Sequence, residues 1–216
     1  MNKNLWRILL VAGCLSLGVC QKRETTVRLH TGLGDIRLRL YDSTPRHRDN
    51  FLRLVRKGFY DSLLFHRVIR DFMVQGGDPD SKNAPSGALL GGGGPGYEIP
   101  AEIGAPHLRG ALAAARQPDP ANSHRASNGS QFFIVHGRPQ TDASLEVWEQ
   151  RLGRKISPEW RALYQERGGA PQLDGLYTVF GTVISGLEVL DQIAAVPRDA
   201  NDRPLEDIRM TLQVEE

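Results

Sequence analysis

Arg67, Arg70 and Gln75 stand in the stretch FHRVIRDFMVQGGD, residues 65–78, among Phe, Val, Ile and Met that otherwise read as a buried strand. A guanidinium fixed in such surroundings is a permanent positive charge with several N–H donors, and a neighbouring amide can orient it. Such a group can stabilise a lone pair or a negative charge that develops during a reaction, with no proton changing hands. Counted along an extended chain, Arg67, Met73 and Gln75 share parity and would share one face, provided the Arg70–Asp71 step keeps the register.

Other chemistries find less support. The 6 histidines, at 30, 47, 66, 107, 124 and 136, show no pairing at metal-ligand spacing, so no metal site is expected. The GGGG run at 91–94 lacks a following Lys-Ser/Thr and opens no helix, and reads as a flexible turn rather than a phosphate loop. Ser130 in NGSQFF is not in a nucleophile-elbow pattern, and no His–Asp partnership suggests itself for it. Lys3 and Arg7 are the only charges in residues 1–20, so beyond them the 27 Lys and Arg fall to 25, level with the 25 Asp and Glu. A nucleic-acid partner would call for a basic surplus on one face, and none is present.

The elements that would position these residues are short. At 216 residues and 40% hydrophobic content the chain can bury one core, while 23 Gly and 13 Pro divide it into many segments without an internal repeat. TTVRLHT and GDIRLRLYD alternate around a GLG turn as a β-hairpin does. In STPRHRDNFLRLVRKG, Thr44 is the expected N-cap, Pro45 the first helical residue and Gly58 the stop. GSQFFIVHG and YTVFGTVI read as strands, GLEVLDQIAAV as a second core helix, and EDIRMTLQV as a closing strand with Ile208, Met210, Leu212 and Val214 on one face. Two helices far apart among many strands suggest a closed β-barrel capped by helices. Residues 117–126 read as an irregular loop. Residues 141–170 read as an inserted helical pair, with Leu145, Trp148 and Leu152 at helical spacing and Ser157-Pro158 restarting a helix.

The N-terminus stands apart. Lys3 and Arg7 precede the apolar run ILLVAGCLSLGV, the layout of an export signal too short to span a bilayer. The chain's 2 cysteines, Cys14 and Cys20, both fall there, and the pattern resembles the lipobox of bacterial lipoproteins, with Cys20, or alternatively Cys14, as the lipidated residue. The expectation is a signal segment 1–20 followed by one domain 21–216, exported to the periplasm or cell envelope and held to the membrane by a lipid anchor.

FHRVIRDFMVQGGD, GALAAAR, NGSQFFIV and LDGLYTVFGTVISGLEVLDQI occur in the order found in cyclophilins, the peptidyl-prolyl cis-trans isomerases, and the resemblance runs from about Thr25 to Val214. It implies a mainly β fold, an eight-stranded antiparallel barrel capped by two helices, acting as a monomer on proline-containing polypeptides without a cofactor. By the same resemblance Arg67 falls at the catalytic arginine, and Phe72, Met73, Gln75, Gln131 and Phe133 fall in the groove for proline and its neighbours. Ala115 and Arg116 match the segment whose backbone grips the extended substrate, and Leu173 and Tyr177 the far wall of the proline pocket. Gln172 stands where many members carry Trp, which puts strong binding of cyclosporin-type peptides in doubt. Tyr177 replaces a frequent His and Arg116 a frequent Asn.

Rotation about an X–Pro bond must break amide resonance, a barrier of about 18–20 kcal/mol. In the twisted state the prolyl nitrogen regains a lone pair, and a fixed cationic donor helps that state more than the planar one. Two other classes compete with an enzyme. A proline-peptide binder needs the pocket but no cation aimed at the nitrogen, and an envelope protein that docks a partner would expose an apolar face through Trp148 and Trp160.

Overall fold

The computed structural model describes residues 24–215, and the expected signal segment 1–20 lies outside them. β1 (Thr26–Thr31) and β2 (Gly34–Leu40) form the expected hairpin, with Val27, Leu29, Ile36 and Leu38 turned inward and the intervening polar residues outward. α1 (Pro45–Arg56) follows, ended by Gly58 at φ 63°, a left-handed geometry that glycine adopts without strain.

The helix start differs from expectation in one respect. Thr44 occupies the N-cap position, yet its hydroxyl donates to the Tyr41 carbonyl instead of accepting from the first turn. The free N–H groups of Arg46 and His47 are met by the Glu102 carboxylate, 3.1 and 3.0 Å away, from a loop distant in sequence. A carboxylate suits the positive end of the helix dipole better than a hydroxyl does.

The remaining strands are β3 (Leu63–Ile69), β4 (Met73–Gly76), β5 (Glu98–Ile99), β6 (Ala111–Ala114), β7 (Ser127–Asn128), β8 (Phe132–Val135), β9 (Val179–Ser185) and β10 (Arg209–Glu215). Eight of them close an antiparallel barrel in the order β1-β10-β3-β4-β8-β6-β9-β2, and β5 pairs with β7 outside it. The interior cluster draws on Leu29, Leu38, Phe65, Val74, Ile134 and Leu212 of the wall. It also takes Phe51 and Leu54 from α1 and Leu190 and Ile193 from α4 (Leu187–Ala194), so both helices cap the barrel as expected.

β4, β6 and β8 have lost the alternation of the first hairpin because most of their residues are buried on either face. Their inward side chains join the interior, and their outward ones, Met73, Ala113, Phe133 and Val135, join a second apolar cluster outside the barrel wall. A strand covered on both faces reads as a continuous apolar run, which is how GALAAAR and QFFIV appear in the sequence.

The insertion forms α2 (Asp142–Leu152) and α3 (Pro158–Arg167). Ser157 caps α3 by accepting from Trp160 N, as its position predicts. Leu145, Ile156 and Tyr164 make a small core of their own, against which Trp160 packs. Trp148 is half-buried with the Arg151 guanidinium 5.0 Å from its ring centre, so the two tryptophans do not form a continuous exposed apolar face.

Candidate active site

The outer face of β3, β4, β8 and β6 is the floor of the site, and its register is set by one irregularity. A bulge between Phe65 and Arg67 lets Phe65 face the barrel interior opposite Gly76, while Arg67, two residues on, faces out opposite Gln75. From there the pairing Arg67↔Gln75, Gln75↔Phe133 and Phe133↔Ala113 lays one row of side chains across four strands. Ile69, Met73 and Val135 form the next row. The shared face of Arg67, Met73 and Gln75 follows from this hairpin, because Asp71 takes up the turn at φ 62° and the parity survives.

These residues border a cavity of about 370 Å³ lined by Arg67, Phe72, Met73, Gln75, Ala115, Arg116, Pro118, Phe133, Leu173 and Tyr177. Of the catalytic, groove and wall residues named from the resemblance, Gln131 alone is not in its lining, and Arg70 is exposed outside it. It is buried behind Gln75, where its amide carbonyl accepts from Gln75 Nε2 at 3.0 Å and its Nε2 donates to the carbonyls of Gly91 and Gly93 at 3.0 and 2.7 Å. With its NH2 group so engaged, Gln75 must turn its Oε1 towards Arg67, whose Nη1 donates to it at 3.3 Å. Gln131 therefore orients the amide that orients the guanidinium.

The glycine run corrects the reading of a flexible turn. Gly91 N donates to Asp78 Oδ2 at 2.5 Å, Asn128 Nδ2 donates to Gly93 O at 3.0 Å, and Gln131 holds both carbonyls. A side chain at Gly93 would come within 2.1 Å of Asp78 Oδ1 and one at Gly94 within 2.7 Å of Asn128 Nδ2, so at these two positions the loop is a fitted support that needs glycine.

The far wall is held from two sides. The Arg116 side chain, 3% exposed, donates from Nε to Leu176 O at 2.8 Å and from Nη1 to Gln117 O at 2.9 Å, and pairs with Asp119 at 3.2 Å. Its guanidinium lies 5.0 Å from the Tyr177 ring centre. It thus ties the 117–126 loop, which brings Pro118 to the cavity, to the segment carrying Leu173 and Tyr177. Along the groove, Ala115 N donates to Gln131 O and its carbonyl accepts from Asn128 N, whereas the backbone N–H and C=O of Arg116 make no hydrogen bond among the described residues.

Sequence reasoning passed over three buried histidines near this site. His107 lies beneath the floor, its ring stacked on Phe133 at 6.1 Å between centres and bonded through Nδ1 to Asp174 at 2.9 Å. His66 adjoins Arg67, and burial, against the opposing pull of Asp78, lowers it to about 4. His47 bridges Glu102 Oε2 at 2.6 Å and Ser127 Oγ at 3.0 Å, the connectivity of a nucleophilic triad. Ser127 is only 1% exposed, however, so no substrate carbonyl can reach it and the array serves to lock the start of α1 to β7 and to the loop that carries Glu102.

The family model for cyclophilin type peptidyl-prolyl cis-trans isomerase/CLD matches residues 26–214. A relative from Staphylococcus aureus (strain USA300), assigned to the peptidyl-prolyl cis-trans isomerases, is 36% identical over 202 residues, covering 91% of this chain and 94% of the relative. One from Staphylococcus haemolyticus (strain JCSC1435), assigned likewise, is 35% identical over 193 residues, 87% of this chain and 89% of its own. Among solved structures, a cyclophilin type peptidyl-prolyl cis-trans isomerase of Cryptosporidium parvum superposes with a TM-score of 0.63 at 27% identity, covering 90% of this chain and 99% of that one. A second crystal structure of the Cryptosporidium protein, obtained in the presence of the dipeptide Ala-Pro, superposes with a TM-score of 0.61. The chain belongs to the cyclophilin-type peptidyl-prolyl cis-trans isomerases, a family of isomerases with this closed eight-stranded barrel.

Proposed function

We propose that the cavity receives the proline ring of an extended polypeptide and that Arg67 promotes rotation about the preceding peptide bond. The observation that supports this reading is the single row Arg67, Gln75, Phe133 beside an apolar floor of Phe72 and Met73, with the exposed Arg67 guanidinium bonded to Gln75 at the border of the cavity. Phe133, Leu173 and Tyr177 hold the ring while the preceding carbonyl turns. The unpaired backbone groups of Arg116 suit an extended strand laid along the groove. Gln75 and Gln131 keep the guanidinium aimed at the prolyl nitrogen.

Magnitude divides the work. A hydrogen bond from a charged donor is worth roughly 1.5–3 kcal/mol, which is about one to two powers of ten in rate. The rest comes from removing the prolyl amide from water, which weakens its polar resonance form, and from holding the reacting geometry. The test is a protease-coupled prolyl-peptide assay of wild type and Arg67→Ala, where the variant should lose about tenfold or more in kcat/KM at unchanged fold. Equal rates would remove the catalytic role of Arg67.

In the cell the same activity would assist folding of exported proteins, the chain acting as a monomer in the periplasm or cell envelope and tethered through Cys20 or Cys14. Support for this comes from the apolar run of residues 8–19 between Arg7 and Cys20. Mass analysis of the mature N-terminus tests it. A diacylated or triacylated cysteine is expected, and an unmodified terminus would reject the anchor.

A further inference from the structure

We infer that the inserted helical pair positions the wall of the proline pocket through a buried chain, Tyr164–Asp174–His107, that ends on the aromatic rings of the floor. The inference rests on the isomerase reading of the cavity. It gives the insertion a part in substrate recognition, with Tyr164 as a positioning residue.

The insertion is fastened at its base. Its two ends meet where a side chain at Gly137 would come 2.5 Å from Gly169 Cα, and Gly169 forms isolated bridges to both Leu108 and Arg138. From α3 the Tyr164 hydroxyl, fully buried, donates to Asp174 Oδ2 at 2.8 Å. The other carboxylate oxygen accepts from His107 N at 2.8 Å and from His107 Nδ1 at 2.9 Å. Asp174 closes the single helical turn Pro171–Leu173, so the carboxylate lies in the short segment that supplies both Leu173 and Tyr177 to the pocket.

Beyond Asp174 the contacts are aromatic. The His107 ring lies nearly parallel to Phe133 at 13° and edge-on to Tyr177 with centres 6.3 Å apart, and Phe133 meets Tyr177 edge-on at 5.7 Å. Arg154, from the link between α2 and α3, comes 3.9 Å from Asp174 Oδ2.

A carboxylate this deep must keep its donors, because each one lost leaves charge uncompensated in a medium that cannot replace it. Residues 171–177 can therefore settle only where His107, from the barrel side, and Tyr164, from the insertion, both reach Asp174. The wall that clasps the proline ring is tied at the groove by Arg116 and located at its base by two further elements, and one of these is the insertion.

Tyr164→Phe keeps the volume and removes the donor. Its KM for an Xaa-Pro peptide, and the dissociation constant of an Ala-Pro-containing peptide by NMR titration, should rise about three- to tenfold, the equivalent of one hydrogen bond. At saturating peptide kcat should stay within about twofold, because Arg67 and its supports are untouched. The His107 ring resonances should move in the same variant. Ser157→Ala serves as the control, since it weakens α3 by the loss of a cap but leaves the hydroxyl in place, and its KM should equal that of wild type. Tyr164→Phe with wild-type KM and dissociation constant, or with changes no larger than those of Ser157→Ala, overturns the inference. An active wild type impaired by Arg67→Ala alongside an unaffected Tyr164→Phe defeats the positioning role alone, whereas an inactive wild type defeats the isomerase reading itself.

Discussion

Replacing His66 with leucine should flatten the acid dependence of stability without lowering stability near neutral pH. His66 is 4% exposed, and neither ring nitrogen has a hydrogen-bond partner among the described residues. Burial outweighs the opposing charge of Asp78 and, with Arg67 adding to it, lowers the imidazole from 6.5 to about 4. The unfolded chain therefore binds a proton near 6.5 that the native ring refuses until about 4. Between those values the unfolded state holds more protons, so stability falls as pH falls: it is whole above the upper value and fully reduced below the lower one. The interval corresponds to roughly 3 kcal/mol at about 1.4 kcal/mol per pH decade, and about 2 kcal/mol of it lies between about pH 7 and about pH 4.5. Leucine has no such proton linkage, and it also removes two buried polar nitrogens whose lack of partners is costly. His47, His107 and His136 are lowered too, by burial first, but they are common to both proteins and cancel in the difference. Urea unfolding of wild type and His66→Leu at the two pH values gives four free energies. The variant should lose about 2 kcal/mol less on acidification. Parallel losses in the two proteins would refute the reasoning, since the native ring would then titrate as it does in the unfolded chain.

Two further predictions concern the supports of the site. Gln131→Leu strips the partner from Gln75 Nε2 and from the Gly91 carbonyl and leaves the Gly93 carbonyl to Asn128 Nδ2 alone, and should destabilise the fold by about 1–3 kcal/mol for the better-buried of the two stripped groups. It should also lower kcat more than it raises KM, because Arg67 loses its aim while the apolar floor remains; a KM effect alone would contradict the assigned order of support. The second prediction concerns Glu149, held down to about 2 by hydrogen bonds from Lys155, from the Ile156 backbone and from Arg161. A carboxyl so depressed stabilises the insertion above its ordinary value of 4.5 and loses that contribution as pH falls towards about 2. Trp148 and Trp160 both lie in the insertion, so their fluorescence should report its loosening over that interval, and Glu149→Gln should remove the change.

What was legible in the sequence was whatever rests on local periodicity or on an ordered set of motifs. The hairpin of β1 and β2, the helices α1 and α4, the capped restart at Ser157 and the closed barrel all followed from alternation, helical spacing and turn residues. The lining residues came from motif order, and all but Gln131 meet in one cavity. The bulge that turns Arg67 outward left no mark of its own, because FHRV would read as a strand with or without it. The glycine run was misread for a similar reason: glycine permits both a slack turn and a close approach, and only the distant Asp78, Gln131 and Asn128 decide between them.

The buried polar networks were illegible for a reason that bears on what the insertion does. His47 meets Ser127 across 80 residues and His107 meets Asp174 across 67, so no local window contains either pair. Each array ends on an element that the barrel alone would not fix. Glu102 and His47 pin the start of α1, and Asp174 pins the short turn that walls the pocket. An apolar core sets strands at a spacing but tolerates sliding, whereas a buried carboxylate accepts only the place where its donors converge. In this chain the barrel places the floor of Phe133 and Met73 by register, and the wall of Leu173 and Tyr177, which no register governs, is placed by Asp174 between His107 and Tyr164.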